Sequence, residues 1–209
     1  RHHLRIGVIG LGTGTLAAYG KEGDYLRFYE VDPDVIRLSG EHFSYCRDTA
    51  AHADVVLGDA RISMEREWTL GQAGEFDVLA VDAFSGDAIP VHLLTRECHR
   101  IYRYHLKEDG ILAMHVSNRY FNLGPVIRSL ASEDAARGVE AIQVIDEGNR
   151  LQGTDASRWI LLTSNRRFLE NKEVRCAASP WAPEDAPVFL FTDDYSNLFR
   201  LLRRGSIFR

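Results

Sequence analysis

Cysteine is scarce in this 209-residue sequence, which contains only Cys46, Cys98 and Cys176. The three lie far apart, form no C-x-x-C pair and are odd in number, so they cannot all pair within one chain. Proteins that depend on disulfides carry a denser cysteine framework and fold in oxidising compartments. The sequence therefore predicts a reduced protein, and we expect a cytoplasmic location.

Long apolar runs and basic clusters are also missing. No run approaches the roughly 18 apolar residues of a membrane-spanning helix, and no signal-peptide pattern is visible. A net charge of −5 without a Lys/Arg run argues against a nucleic-acid partner. His92 and His99 have no third ligand at metal-site spacing, so no metal is expected. The first residue is Arg1 and not Met, which indicates a piece of a longer protein.

What the sequence does contain is an alternation of apolar runs and helical patterns. Apolar runs of strand length occur at 4–9, 25–31, 53–57, 76–81, 111–116, 139–145 and 159–163. Helical patterns occur at 13–19, 33–43, 90–106 and 123–136, with a last short one at about 194–202. Uniformly apolar strands that alternate with helices are typical of a parallel sheet covered on both faces. We predict an α/β fold with a seven-stranded, mostly parallel, doubly wound sheet, as a single domain over residues 1–209.

The first apolar run ends in a glycine-rich stretch, IGLGTGT at residues 9–15. Gly10, Gly12 and Gly14 occupy alternate positions, and glycine permits positive φ and close approach of the backbone to a ligand. A phosphate-binding loop would need Lys followed by Ser or Thr, and a dinucleotide loop has its third glycine one residue later. The spacing G-x-G-x-G is typical of S-adenosylmethionine binders. The alternative is a tight strand–helix turn without a ligand.

Acidic residues lie at or just after the end of each of the next three strand runs. Glu30 comes 20 positions after Gly10, where a carboxylate that accepts from the ribose hydroxyls is expected. Asp59 can accept from the adenine amino group, and Asp82 follows the fourth run. A capping or solvent-facing acid is the alternative for each, and for Asp32 we prefer helix capping. Because open α/β sheets bind ligands at the carboxyl ends of their strands, these residues together predict one adenosyl site.

Five segments in this order cover most of the chain: IGLGTGTLAAYG, FYEVDPDVI, VVLGDAR, VLAVDAFSGDAIPVHLLTRE and, loosely, TDDYSNLFRLLR. In them the sequence resembles the spermidine synthase-like (polyamine aminopropyltransferase) family of S-adenosylmethionine-dependent transferases. The resemblance is greatest to the bacterial variant that occurs as a soluble domain fused behind a membrane segment. It implies a seven-stranded Rossmann-like methyltransferase fold. It also implies that Glu30 holds the ribose, that Asp59 and Ala60 hold the adenine, and that Asp82 is the catalytic carboxylate beside the attacking amine.

Three departures from the family pattern matter. Thr13 stands where the family has an Asp that holds the amine of the aminopropyl tail. Ser85 stands where the fourth-strand motif has a second Asp, and the N-terminal β-hairpin region of the family is absent from this sequence. Asp87 and Asp194 are candidates to bind a cationic amine. The alternative for Asp87 is capping of the helix near Pro90, and the alternative for Asp194 is an acid in the first turn of a helix.

The resemblance implies transfer of an aminopropyl group from decarboxylated S-adenosylmethionine to an amine such as putrescine, without a metal. Two alternatives stay open. One is an S-adenosylmethionine-dependent methyltransferase acting on a small molecule, which the neutral Thr13 favours; the other is an adenosyl-binding domain without turnover. Relatives of this kind are often dimers, so a homodimer is a further expectation. His115, Ser117 and Asn118 follow the fifth run, where a substrate is expected, although a polar turn is the alternative.

Overall fold

The computed structural model describes residues 3–84, 89–118, 120–149, 151, 153–187 and 190–202. The chain forms two compact units. The first unit comprises Arg1–Ala83 and Arg100–Leu112, and the second comprises Phe84–His99 and Ala113–Arg209. The single domain over residues 1–209 stays a prediction.

The first unit is built on a sheet whose described strand pairs are parallel. Its strands are β1 (Arg5–Ile9), β2 (Tyr25–Glu30), β3 (His52–Leu57), β4 (Phe76–Val81) and β5 (Leu106–His115) as far as Leu112. Their order is β3-β2-β1-β4-β5, and β1 pairs in parallel with both β2 and β4. The side chains of Leu26, Phe28 and Phe76 are fully buried. These apolar runs therefore correspond to strands of a parallel sheet, as predicted, although no residue of the edge strand β3 is buried.

Helices α1 (Pro33–His42), α2 (Tyr45–Asp48) and α3 (Ala60–Thr69) belong to the first unit. The capping role of Asp32 is confirmed, because its Oδ1 accepts the N–H of Asp34 at 2.8 Å. The segment predicted as a helix at 13–19 contains a five-residue 3₁₀-helix, Thr15–Tyr19, which follows Gly14 in the left-handed conformation. No apolar stripe at helical spacing marks α3 in the sequence, so this helix was not predicted.

In the second unit, the strand pairs that the structure describes are antiparallel. It holds the end of β5 with β6 (Glu140–Asp146), β7 (Ser157–Thr163) and β8 (Ala178–Ser179), in the order β5-β7-β6-β8. Both β7 and β8 run antiparallel to β6. The described residues therefore form eight strands, and the predicted count of seven is wrong. A two-residue strand such as β8 has no apolar pattern that a sequence could reveal.

Helices of the second unit are α5 (Gly124–Glu133), α6 (Arg166–Leu169), α7 (Lys172–Ala177) and the start of α4 (Arg96–His105). The helix predicted at 90–106 is interrupted: a 3₁₀ turn at Val91–Leu93 precedes α4. The Thr95 hydroxyl accepts the N–H of Cys98 at 3.3 Å and satisfies a backbone donor at this break. None of the helices in the described ranges is long and apolar enough to cross a membrane.

The last predicted helix, at 194–202, is also wrong in its extent. Thr192 and Tyr195 instead form an isolated β-bridge that closes a turn. Only Leu198–Leu201 is helical, as a short 3₁₀ segment. The Thr192 hydroxyl accepts the N–H of Tyr195 at 3.1 Å, so the polar start TDDY makes a local turn and does not begin a helix.

Candidate functional site

The glycine-rich loop follows β1, and all three of its glycines have positive φ: 97° at Gly10, 53° at Gly12 and 83° at Gly14. A Cβ on Gly10 would overlap the carbonyl oxygen of Asp82 and lie 3.0 Å from its carbonyl carbon. A Cβ on Gly12 would meet nothing within 4 Å. The backbone at Gly12 therefore borders open space, which fits a loop that a ligand approaches closely.

Glu30, at the end of β2, is buried with 8% exposure. Its Oε2 accepts the N–H of Leu11 at 2.9 Å, and its Oε1 accepts the N–H of Asp32 at 3.0 Å. The carboxylate thus ties the glycine-rich loop to the end of β2. Because each carboxylate oxygen has two lone pairs, each oxygen has capacity for one more donor such as a ribose hydroxyl.

Asp59, directly after the turn that follows β3, caps α3. Its Oδ1 accepts the N–H of Ile62 at 3.0 Å, and the neighbouring Ala60 is buried. The backbone N–H of Gly58 donates to the carbonyl of Glu30 at 2.8 Å. The capping interaction offered as the alternative for Asp59 is therefore present, and adenine binding by Asp59 and Ala60 stays a prediction.

A polar cluster fixes α3 against β2. Glu67 of α3 pairs with Arg27 of β2, and the Tyr29 hydroxyl donates to Glu67 Oε2 at 2.8 Å. Burial and the neighbouring Glu67 carboxylate raise the pKa of Tyr29 well above its usual range, so the phenol stays protonated and donates. Anchoring α3 in this way also fixes Asp59, because that residue begins the helix.

Asp82 follows β4, and its N–H donates to the carbonyl of Ile9 at 2.8 Å. The Gly10 N–H in turn donates to the carbonyl of Tyr29 at 2.8 Å. Since β3, β2, β1 and β4 are neighbours in the sheet, the structure brings Gly10, Glu30, Asp59 and Asp82 to one edge of the first unit. Four polar or glycine strand ends at one edge form a candidate ligand site of the kind that open α/β sheets use.

The structure gives less information about Asp87 and Asp194, the two other acids predicted to bind the amine. Asp87 lies outside the described residues. Asp194 is an exposed residue of the turn between Thr192 and Tyr195 in the second unit. Its neighbour Asp193 accepts from the Thr95 hydroxyl at 2.9 Å.

The second unit contains an open groove of about 2000 Å³ at the end of β5. Its lining includes Phe84, His115 and Ser117. The His115 ring stacks on Trp159 with centroids 4.6 Å apart and rings inclined by 5°, and Phe84 meets it edge-on at 4.8 Å. His115 Nε2 lies 2.7 Å from the Ser117 hydroxyl oxygen.

An ion pair that the sequence did not reveal lies in the wall of this groove. Arg158 pairs with buried Asp185 at 2.9 Å and donates to Asn122 Oδ1 at 2.9 Å and to Gln143 Oε1 at 2.7 Å. Burial alone would raise the pKa of Asp185, but hydrogen bonds from Asn122 and Arg158 outweigh it and hold that pKa below its ordinary value. A Cβ on Gly124 would lie 2.7 Å from Asp185 Oδ1, so the network excludes a side chain there.

No signal in the sequence could have found this network, because its members come from distant segments without a shared motif. A metal centre has no support in the described ranges, where no group of three or more His, Cys, Asp or Glu side chains could hold an ion.

No family model matches the chain. Among curated proteins, a polyamine aminopropyltransferase of Vibrio vulnificus is 32% identical over 111 residues, covering 52% of this chain and 36% of that protein. A probable polyamine aminopropyl transferase of Bifidobacterium longum is 27% identical over 168 residues, covering 79% of this chain and 33% of that protein. An N-terminal histidine N-methyltransferase of Emericella nidulans is 32% identical over 108 residues, covering 51% of this chain and 19% of that protein.

Comparison with solved structures of other proteins shows which fold this chain shares. A probable spermidine synthase from Corynebacterium glutamicum matches with a TM-score of 0.61 and 23% identity, over 84% of this chain and 61% of that one. The O-methyltransferase of Bacillus cereus, solved in complex with SAH, matches with a TM-score of 0.52 and 16% identity, over 77% of this chain and 74% of that one.

The chain spans about a third of the length of the aminopropyltransferases that it matches. The comparisons confirm the sequence resemblance to polyamine aminopropyltransferases and the Rossmann-like fold of S-adenosylmethionine-dependent transferases. They do not test the roles of individual residues, which stay predictions.

Proposed function

We propose that this chain is a spermidine synthase-like transferase, which moves an aminopropyl group from decarboxylated S-adenosylmethionine to an amine. The observation that carries the proposal is the edge of the first unit where Gly10, Glu30, Asp59 and Asp82 end neighbouring strands. The sequence similarity to proteins named polyamine aminopropyltransferases supports this choice among adenosyl-dependent reactions.

The residues present fit an adenosyl group. Gly12 borders open space, so the backbone can approach the ligand there. Glu30 keeps one lone pair on each carboxylate oxygen after accepting two backbone N–H groups, which suits two vicinal ribose hydroxyls. Asp59 and Ala60 would meet the adenine, and Gly10 and Gly14 would shape the loop around the ligand.

Asp82 would orient the amine acceptor, and its negative charge would stabilise the positive charge on that amine. Displacement at the carbon beside a sulfonium needs no covalent enzyme intermediate, so alignment of the two reactants supplies most of the rate. We propose that Asp82 acts first by positioning the amine and second by accepting its proton. Asp87 and Asp194 are proposed as further carboxylates for a cationic acceptor such as putrescine.

One variant tests this assignment. Asp82→Asn keeps the size of the side chain but removes its charge. Because Asp82 is proposed to position the amine, we expect kcat to fall by about 10²-fold, while the dissociation constant of the donor, measured by calorimetry, stays unchanged. Glu22→Gln, at an exposed position, is the matched control and should keep both values. Wild-type turnover in Asp82→Asn with donor bound would refute the role of Asp82.

A methyltransferase is the second candidate. The similarity to a protein named N-terminal histidine N-methyltransferase and the neutral Thr13 favour it. The two reactions differ in the donor tail, because intact S-adenosylmethionine carries a carboxylate that the decarboxylated form lacks. Calorimetry with both forms, followed by turnover with putrescine, separates the two enzymes. Binding without turnover on any amine would favour the third alternative, an adenosyl-binding domain without activity.

The cellular context is also a proposal. Cys46, Cys98 and Cys176 are all thiols in the structure, which supports a reducing, cytoplasmic location. A homodimer is proposed only because relatives of this kind are often dimers. Analytical ultracentrifugation of the purified chain tests the dimer directly.

A further inference from the structure

A serine hydroxyl and an imidazole lie in hydrogen-bonding contact at the end of β5, within the second unit. The Ser117 oxygen lies 2.7 Å from His115 Nε2 and accepts the backbone N–H of Arg158 at 2.8 Å. Because that N–H takes one acceptor position of the hydroxyl, the Ser117 proton can point to Nε2 when the imidazole carries its own proton on Nδ1. A nucleophile in contact with a general base is the first requirement of a serine-based acyl transfer.

The imidazole of His115 is held in one orientation. Trp159 stacks on its face, with the two rings only 5° from parallel, and Phe84 meets it edge-on. Packing on two sides keeps Nε2 directed at the hydroxyl, so little rearrangement is needed before the proton moves.

The backbone of β7 fixes the serine. The Val116 N–H donates to the carbonyl of Arg158 at 2.8 Å, and the Arg158 N–H donates to the Ser117 oxygen. The Arg158 N–H also stabilises the negative charge that develops on this oxygen as the hydroxyl proton leaves, because a hydrogen bond to a charged form favours that form. Asn118, which lines the same groove, carries amide N–H groups of the kind that stabilise the oxyanion of an acyl transfer.

A ligand can reach this hydroxyl from the groove. Ser117, His115 and Phe84 line it, and all of its lining residues belong to the second unit. Five carboxylates and two guanidinium groups are among them, so the groove has an excess of negative charge. A substrate that carries a positive charge should therefore enter more readily than a neutral one of the same shape.

We propose that Ser117 and His115 form a hydrolytic centre in this groove, with Ser117 as the nucleophile and His115 as the general base, and that it cleaves esters that carry a cationic group. The inference goes beyond the proposed function, because it needs neither an adenosyl donor nor any residue of the first unit.

The reaction has two steps. Ser117 Oγ attacks the carbonyl carbon of the ester while its proton moves to His115 Nε2, and His115 then gives that proton to the leaving alcohol oxygen as the C–O bond breaks with its electron pair on that oxygen. Water next attacks the acyl carbon and gives a proton to Nε2, and the bond to Ser117 Oγ breaks as this oxygen takes the proton back. The net change converts an ester and water to a carboxylic acid and an alcohol.

A fluorophosphonate probe tests the nucleophile directly, because the serine oxygen displaces fluoride from phosphorus and the product does not turn over. Peptide mass spectrometry of the unchanged chain should locate the probe on Ser117, a result that does not depend on how any variant folds. His115→Gln keeps the serine but lacks the base, and should be labelled about 10²–10⁴-fold more slowly. Ser157→Ala removes another serine hydroxyl of the groove and is the matched control, which should be labelled like the unchanged chain.

The substrate class is tested with acetylcholine and its uncharged isostere, in which carbon replaces nitrogen, by following the release of acetic acid. The cationic ester should have a kcat/KM about tenfold higher, and Ser117→Ala should hydrolyse neither ester. A chain that carries no probe on Ser117, or His115→Gln labelled at the rate of the unchanged chain, would overturn the centre. Probe on Ser117 without hydrolysis of either ester would overturn the reaction, and equal rates on both esters would overturn the preference for a cation. No donor is present in these assays, so the proposed transferase function stands or fails separately.

Discussion

Replacing Gly10 by alanine should test whether the glycine-rich loop is fixed by the fold or by a ligand. Gly10 has φ +97°, a region that side chains rarely adopt. The added Cβ would overlap the backbone oxygen of Asp82 and lie 3.2 Å from Ala83 Cα. Both atoms belong to the main chain after β4, which cannot rotate away as a flexible side chain can.

The magnitude follows from two costs. Holding a non-glycine residue at an unfavourable φ costs about 1–3 kcal/mol, and forcing extra volume into packed structure costs about 1–3 kcal/mol. We expect Gly10→Ala to lower the free energy of unfolding by about 4 kcal/mol. Gly12→Ala is the matched control, because its Cβ would meet nothing within 4 Å and only a backbone cost of about 1–2 kcal/mol remains.

The assay is thermal unfolding followed by circular dichroism, together with calorimetric titration of the donor. A difference of about 2–3 kcal/mol corresponds to a Tm about 4–12 °C lower for Gly10→Ala than for Gly12→Ala. Donor affinity should show the opposite order, because alanine at position 12 fills the space that a ligand would approach. Equal Tm values for the two variants would show that the close approach to Asp82 does not constrain Gly10.

Three further predictions follow from single side chains. Glu30→Gln replaces one carboxylate oxygen by an amide donor that faces a backbone N–H. The free energy of unfolding, measured by urea titration, should therefore fall by about 1–3 kcal/mol, and donor binding should weaken. Unchanged stability would contradict this expectation. Asp59→Asn keeps a good N-cap, so it should preserve the Tm while weakening donor binding. If the variant bound the donor as tightly as the unchanged chain, Asp59 would act only as a helix cap. Burial lowers the pKa of His105 below 6.5, so its contribution to stability is complete above about pH 6.5 and declines as pH falls below it. Melts from pH 8 to 5 should show this decline, and it should shrink in His105→Gln but not in His42→Gln.

Much of the first unit could be predicted from local patterns. The runs that became β1, β2, β3 and β4 are apolar and short, and that pattern is enough to predict strands of a parallel sheet. Asp32 followed by Pro33 marks the start of α1, because a cap and a fixed φ act within one turn. The helices predicted at 90–106 and 194–202 were less accurate. The Thr95 hydroxyl accepts the N–H of Cys98 in the first turn of α4, which begins only at Arg96, and the Thr192 hydroxyl accepts the N–H of Tyr195 in a turn where a helix start was predicted.

The sequence by itself determined the α/β order, the glycine-rich loop and the acids that follow the strands, because each depends on residues close together in the chain. Only the tertiary structure decided which partners these groups meet. Glu30 accepts from two backbone donors that fix the glycine-rich loop, and Asp59 caps a helix. The groove with Ser117 and His115 and the Arg158–Asp185 pair arise where distant segments pack together, and no local pattern encodes such long-range contacts.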